Sequence, residues 1–137
     1  MREKFEAALD QYAAEGIAAF TALHPGEPRL SHVCFKFPDA PAFRKGVAEA
    51  GTLGALTHKS FGGKEIVWCR LHHPAVAGSL TLEWLELVEP EAGQAPHGVT
   101  AIGYAVTGLE KVIKIPSADG TVTFRFQGAH AAALAAS

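Results

Sequence analysis

Between positions 2 and 23, Phe5, Leu9, Tyr12, Ile17 and Phe20 recur every three to five residues. That spacing lines side chains along one face of a helix. Alanines fill the gaps and favour helix, whereas a mid-helix glycine costs about 1 kcal/mol relative to alanine, so Gly16 weakens the middle of the segment. Pro25 and Pro28 of "HPGEP" bar continuation. The period then changes. In "LSHVCFKF" (30–37) Val33, Phe35 and Phe37 take one face and His32, Cys34 and Lys36 the other, as in a strand. Helical spacing returns in "PDAPAFRKGVAEAGTLG" (38–54), which predicts a helix from Ala40 to Ala50 stopped by Gly51. Strands are expected at 55–61 and 65–71, joined by the "GGK" turn (62–64), and then, after a "HHPAVAG" loop (72–78), in "SLTLEWLELVEP" (79–90).

"EPEAGQAPHG" (89–98) is a linker by composition. Beyond it the alternation predicts strands at 99–106, 110–115 and 121–127, with a "SADG" turn (117–120) and a short terminal helix or tail in "AHAAALAAS". The fold class is α+β in a single domain spanning 1–137. It divides into an N-terminal helical segment (1–26), a βαβββ module (28–90) and a truncated second module (97–128). The second stretch is too short for a crossover helix and a full set of strands. The expected product is a curved, mostly antiparallel sheet with the N-terminal helix packed outside.

The chain has 137 residues, 48% of them hydrophobic and 19% charged. That is enough apolar material for one packed core. The net charge of −2 comes without any basic block, so neither nucleic acid nor an anionic membrane is an expected partner. No apolar run is long enough to span a bilayer, and "MREKFEAALDQ" puts charges where a secretory signal needs its apolar segment. Cys34 and Cys69 both sit in strand-like runs, which fits reduced, buried thiols in a cytoplasmic protein.

One position stands out chemically. In "LTLEWLELV" the row Leu80, Leu82, Trp84, Glu86, Val88 carries a carboxylate among apolar side chains. A carboxylate drawn into apolar company needs a cation, a metal or strong hydrogen-bond donors.

A strand with a histidine near its start, a helix, three strands and a closing "LELVEP" together resemble one module of the vicinal oxygen chelate superfamily. "LSHVCFKF", "GGKEIVWCRLHHP", "LTLEWLELVEP", "APHGVTAIGYAVTG" and "ADGTVTFRF" are similar, in that order, to the bacterial YecM family, an uncharacterised branch of that superfamily. The resemblance covers residues 28–127. It implies paired modules around a cavity, with His32 and Glu86 at metal-ligand positions. By the same resemblance the remaining ligand positions fall at Ile102 and Arg125. Isoleucine cannot ligate, and arginine has no lone pair to give a metal.

Three readings follow. The first is a non-catalytic small-molecule-binding protein with a degenerate metal centre and no resident cofactor, in which His32, Glu86 and Arg125 form the polar heart, Arg125 neutralises Glu86, and Tyr104 also lines the cavity. The second is a divalent-metal-dependent isomerase, lyase or dioxygenase holding its metal on His32 and Glu86. The third is a structural dimerisation module without ligand. Because the short second module leaves one wall open, a homodimer is expected.

Overall fold

The structure, a computed structural model, describes residues 1–91 and 97–128. The expected terminal helix or tail lies outside the described residues, as does most of the linker. The order of elements is α1 (Arg2–Ala8), a π-helical turn (Leu9–Ala13), α2 (Ala14–Thr21), β1 (Arg29–Lys36), α3 (Ala40–Leu53), β2 (Gly54–Phe61), β3 (Lys64–Ala77), β4 (Leu80–Val88), β5 (Gly98–Val106), β6 (Ile113–Pro116) and β7 (Thr123–Gly128). The seven strands form one curved sheet in the order β2-β3-β4-β1-β5-β7-β6. Pairing is antiparallel except for β1 with β4 and β5 with β7.

The two modules are legible in that order. β2-β3-β4-β1 is the first, with α3 as its crossover. β5-β7-β6 repeats the inner three positions of the pattern. The two meet where β1 runs antiparallel to β5. Among the described residues the second module has neither a crossover helix nor a counterpart of β2. On its outer face the N-terminal helical segment supplies the missing cover. Tyr104 Oη of β5 donates to the Ala13 carbonyl at 2.8 Å, Tyr12 Oη donates to Asp119 at 2.6 Å, and Glu15 accepts from the Ala118 amide at 2.8 Å.

Between helices and sheet lies the main core. Phe5, Leu9 and Phe20 from the N-terminal segment and Phe43 and Ala50 from α3 meet Val33, Leu85, Leu87, Ile102, Phe124 and Phe126 from the strands. Each large apolar side chain fully buried contributes about 1.5–3 kcal/mol, which fixes which face of the sheet turns inward. Gly16 does not break the helix. It is required because a Cβ there would stand 2.3 Å from Tyr104 Oη, and the irregularity falls earlier, in the π-helical turn.

α3 begins where expected, with Asp39 capping the Ala42 amide at 2.8 Å. It passes through Gly51 and ends at Leu53. Gly54 opens β2 instead, where a Cβ would meet the Arg70 carbonyl oxygen at 2.1 Å. Gly62 and Gly63, at φ of 56° and 82°, make the tight turn into β3. β3 runs on to Ala77 through the segment expected as a loop. Its register with β4 slips between Arg70 and Ala75, which accommodates Pro74, a residue with no amide to give a ladder. Arg2 takes up the carbonyls of His73 and Pro74 there.

Candidate binding site on the open face of the sheet

Among the described residues the helices cover one face of the sheet, and the other face carries the polar candidates. Strand register sets them in two adjacent rows. One row runs Trp68 (β3), Glu86 (β4), Cys34 (β1), Ala101 (β5), Thr123 (β7). The next runs Arg70, Trp84, His32, Gly103, Arg125, Lys114. β5, next to the central strand β1, offers only the small residues Ala101 and Gly103 to these rows, so the curved surface is hollow there. A cleft of about 400 Å³ results, lined by His32, Trp68, Glu86 and Arg125 with Cys34, Lys36, Phe61, Lys64, Ile66, Val88 and Gln127. A second cleft of about 380 Å³ adjoins it and shares Cys34, Lys36 and Arg125.

His32, Glu86 and Arg125 are thus brought to one cleft. Tyr104 is not: it lies on the helix side, stacked on Phe126 with ring centroids 4.9 Å apart and bonded to Ala13. Ile102 is likewise in the core. The cause is local. The β1–β5 pairing carries two register shifts, with Ser31 the extra residue of β1 and Thr100 the extra residue of β5, and counted from Gly98 the extra residue exchanges the two faces of β5. Under the two-fold relation of the modules the counterpart of His32 is therefore Ala101, that of Cys34 is Gly103, and that of Glu86 is Arg125.

His32 is almost fully buried. Its ring rests directly over Gly103, whose absent Cβ would lie 2.2 Å from His32 Cε1. Trp68 meets the ring edge-on at 5.0 Å, and Ser31 Oγ stands 3.1 Å from Nδ1. Burial pushes the His32 pKa down. Glu86 opposes that, and Arg125 adds to it. Burial pushes the Cys34 thiol up to about 12, assisted by the neighbouring Glu86 carboxylate, to which the thiol donates. Cys34 and Cys69 are both free and buried.

Among the described residues Glu86 makes no ion pair with His32 or Arg125, so the expected direct neutralisation by Arg125 is not what the geometry contains. Both charges instead act on His32, with opposite effect. Two side chains that line the cleft carry a buried donor with no partner: Trp68 Nε1 and Arg125 Nε. A buried donor left unsatisfied costs about 1–3 kcal/mol. Trp68 was not among the residues the sequence assigned to the cavity, because the sequence does not show which face of β3 turns toward the helices.

The donor set does not fit a metal. No group of three or more His, Cys, Asp or Glu side chains converges among the described residues. The two-fold counterparts of His32 and Glu86 are an alanine and a cation, and the remaining sulfur, Cys34, is held protonated. Divalent-metal sites need three or four protein donors in their charged or neutral ligating forms.

The fold and the open-face cleft define an α+β protein built from one βαβββ module and a shortened second one. No family model and no curated protein matches the chain. Among solved structures, one described as a structural-genomics protein, EC4020, aligns over 98% of this chain and 88% of its own, with a TM-score of 0.67 at 16% identity. It shares the fold. A hypothetical protein, BH1468 from Bacillus halodurans C-125, aligns over 72% of this chain and 92% of its own at a TM-score of 0.43 and 16% identity.

Proposed function

We propose that the protein binds a small organic molecule in the open-face cleft, as a vicinal-oxygen-chelate-type binding protein whose metal centre has degenerated. The observation that carries this reading is a pair of buried, unpartnered donors, Trp68 Nε1 and Arg125 Nε, on two side chains that line a hollow of about 400 Å³. Binding sites combine apolar walls with a few fixed polar groups, and here Phe61, Ile66, Trp68 and Val88 are the walls. An acceptor-bearing ligand gives both donors a partner. Glu86 and neutral His32 would then receive or share its hydroxyl protons. The polar heart remains His32, Glu86 and Arg125, with Trp68 added and Tyr104 removed.

A thermal-shift screen with small carboxylates and diphenols tests the reading. A ligand that prefers the folded state raises the unfolding midpoint. The expected hits lose their effect in Trp68→Phe and in Arg125→Leu. Hits that persist unchanged in both variants would refute the assignment. The open edge at β6, beside the half-exposed Val112, supports a homodimer as the assembly, which sedimentation velocity reads directly.

A further inference from the structure

The charges on the open face are unevenly divided between its two clefts. The first holds Glu86 beside its cations. The second, lined by Cys34, Lys36, Thr100, Ala101, Lys114, Gly120, Thr121, Thr123 and Arg125, contains three cations, three threonine hydroxyls and no acidic side chain. The nearest carboxylate in sequence, Asp119, is already engaged. It accepts from Tyr12 Oη at 2.6 Å, Ser117 Oγ at 2.8 Å and the Thr121 amide at 2.9 Å. Among the described residues Lys36, Lys114 and Arg125 form no ion pair, and Arg125 Nε lacks any partner. Arg125 stands in the wall common to both clefts.

We infer that the second cleft is an anion subsite, and that the ligand is an amphiphilic anion: an apolar or aromatic body against Trp68, Ile66 and Val88, and a carboxylate or phosphate group beyond Arg125 among Lys36, Lys114 and the threonines. The inference rests on the binding reading above and extends it to the ligand's class. Uncompensated cations around a hollow favour negative charge there, and a guanidinium binds carboxylate or phosphate with geometric selectivity. Glu86 repels an anion from the first cleft, which fixes the ligand's direction.

The test is an NMR titration of ¹⁵N-labelled protein with three probes: inorganic phosphate, 3-phenylpropionate and 3-phenylpropanamide. Phosphate is expected to shift the amides of Thr100, Thr121 and Thr123 and the Arg125 Nε–H. The amide probe is expected to shift the Trp68 indole N–H. The acid is expected to do both and to bind about tenfold more tightly than the amide, the gain of one charge-assisted contact. Lys114→Glu, at an exposed position, should abolish the phosphate response and the preference for acid while leaving amide binding unchanged. Phosphate shifts scattered elsewhere would mean an adventitious ion only. That outcome, equal affinity for acid and amide, or a preference that survives Lys114→Glu, overturns the anion subsite while leaving the cleft reading standing. An indole N–H unmoved by either phenyl probe sinks the cleft reading instead, and the phosphate arm still reads the subsite separately.

Discussion

Gly103→Ala is the sharpest probe of how the site is built. The added Cβ would lie 2.2 Å from His32 Cε1 and 2.6 Å from both ring nitrogens. Carbon contacts settle near 3.5–4.0 Å, so the overlap exceeds about 1 Å. Gly103 is not among the glycines with positive φ, so backbone strain adds nothing and the cost is steric. The imidazole cannot simply slide, because Trp68 stands against it and its backbone is locked between β4 and β5. Overpacking of this kind costs about 1–3 kcal/mol, and the midpoint falls by roughly 3–5 °C per kcal/mol for a chain of this size. In a His32→Ala background the obstacle is gone. There the same substitution should be neutral, or stabilising by about 0.4–1 kcal/mol through the unfolded chain. Urea unfolding of wild type, both single variants and the double variant gives the coupling, expected to be at least about 1 kcal/mol. Equal losses from Gly103→Ala in both backgrounds would refute the packing of His32 over β5.

Four further outcomes are expected. Tyr104→Phe leaves the Ala13 carbonyl without its donor and should lower stability by about 1–3 kcal/mol with no change in ligand affinity, as isothermal titration of any screen hit will read. The His32 pKa is lowered in the folded protein, chiefly by burial, so below about 6.5, the ordinary histidine value, the unfolded chain binds the extra proton. Stability should therefore be complete above that pH and fall as pH drops through it, and His32→Gln should flatten the slope in urea titrations across pH 5–7. Asp119 is held at about 2, first of all by the Tyr12 hydroxyl, so Tyr12→Phe should raise its carboxyl toward the ordinary range, visible in a carbon-detected NMR titration. Cys34, with its thiol pushed up to about 12, should resist alkylation at neutral pH in the native state and react only on unfolding.

Much of the framework was legible because local rules and burial agree. The alternation in β1 assigned His32, Cys34 and Lys36 to one face, and the pairing places them there. The helical spacing placed the start of α3 at Ala40, and the paired glycines announced the turn at 62–63. The short second module was visible as a simple shortage of residues. The failures have specific causes. Gly51 adopts an ordinary helical conformation, so it does not terminate α3. Pro74 suggested a loop, but a register slip let β3 absorb it. Ile102 was assigned to the cavity by the family resemblance, and Tyr104 by the face it shares with Ile102; the extra residue Thr100 in β5 leaves no trace in residue spacing and inverts that strand's faces. Trp68 went unrecognised because an indole reads as core until its N–H is found without a partner. The basic second cleft draws on β1, β5, β6 and β7 at once, so only tertiary pairing assembles it.

The account stands on two buried, unpartnered donors carried by side chains that line the same hollow. A crystal structure of the protein with its strongest thermal-shift ligand tests this most directly. The account predicts that ligand acceptor atoms lie within hydrogen-bond distance of both Trp68 Nε1 and Arg125 Nε, on the face opposite the helices. A ligand seated elsewhere, or both donors found bonded to protein groups, would contradict it.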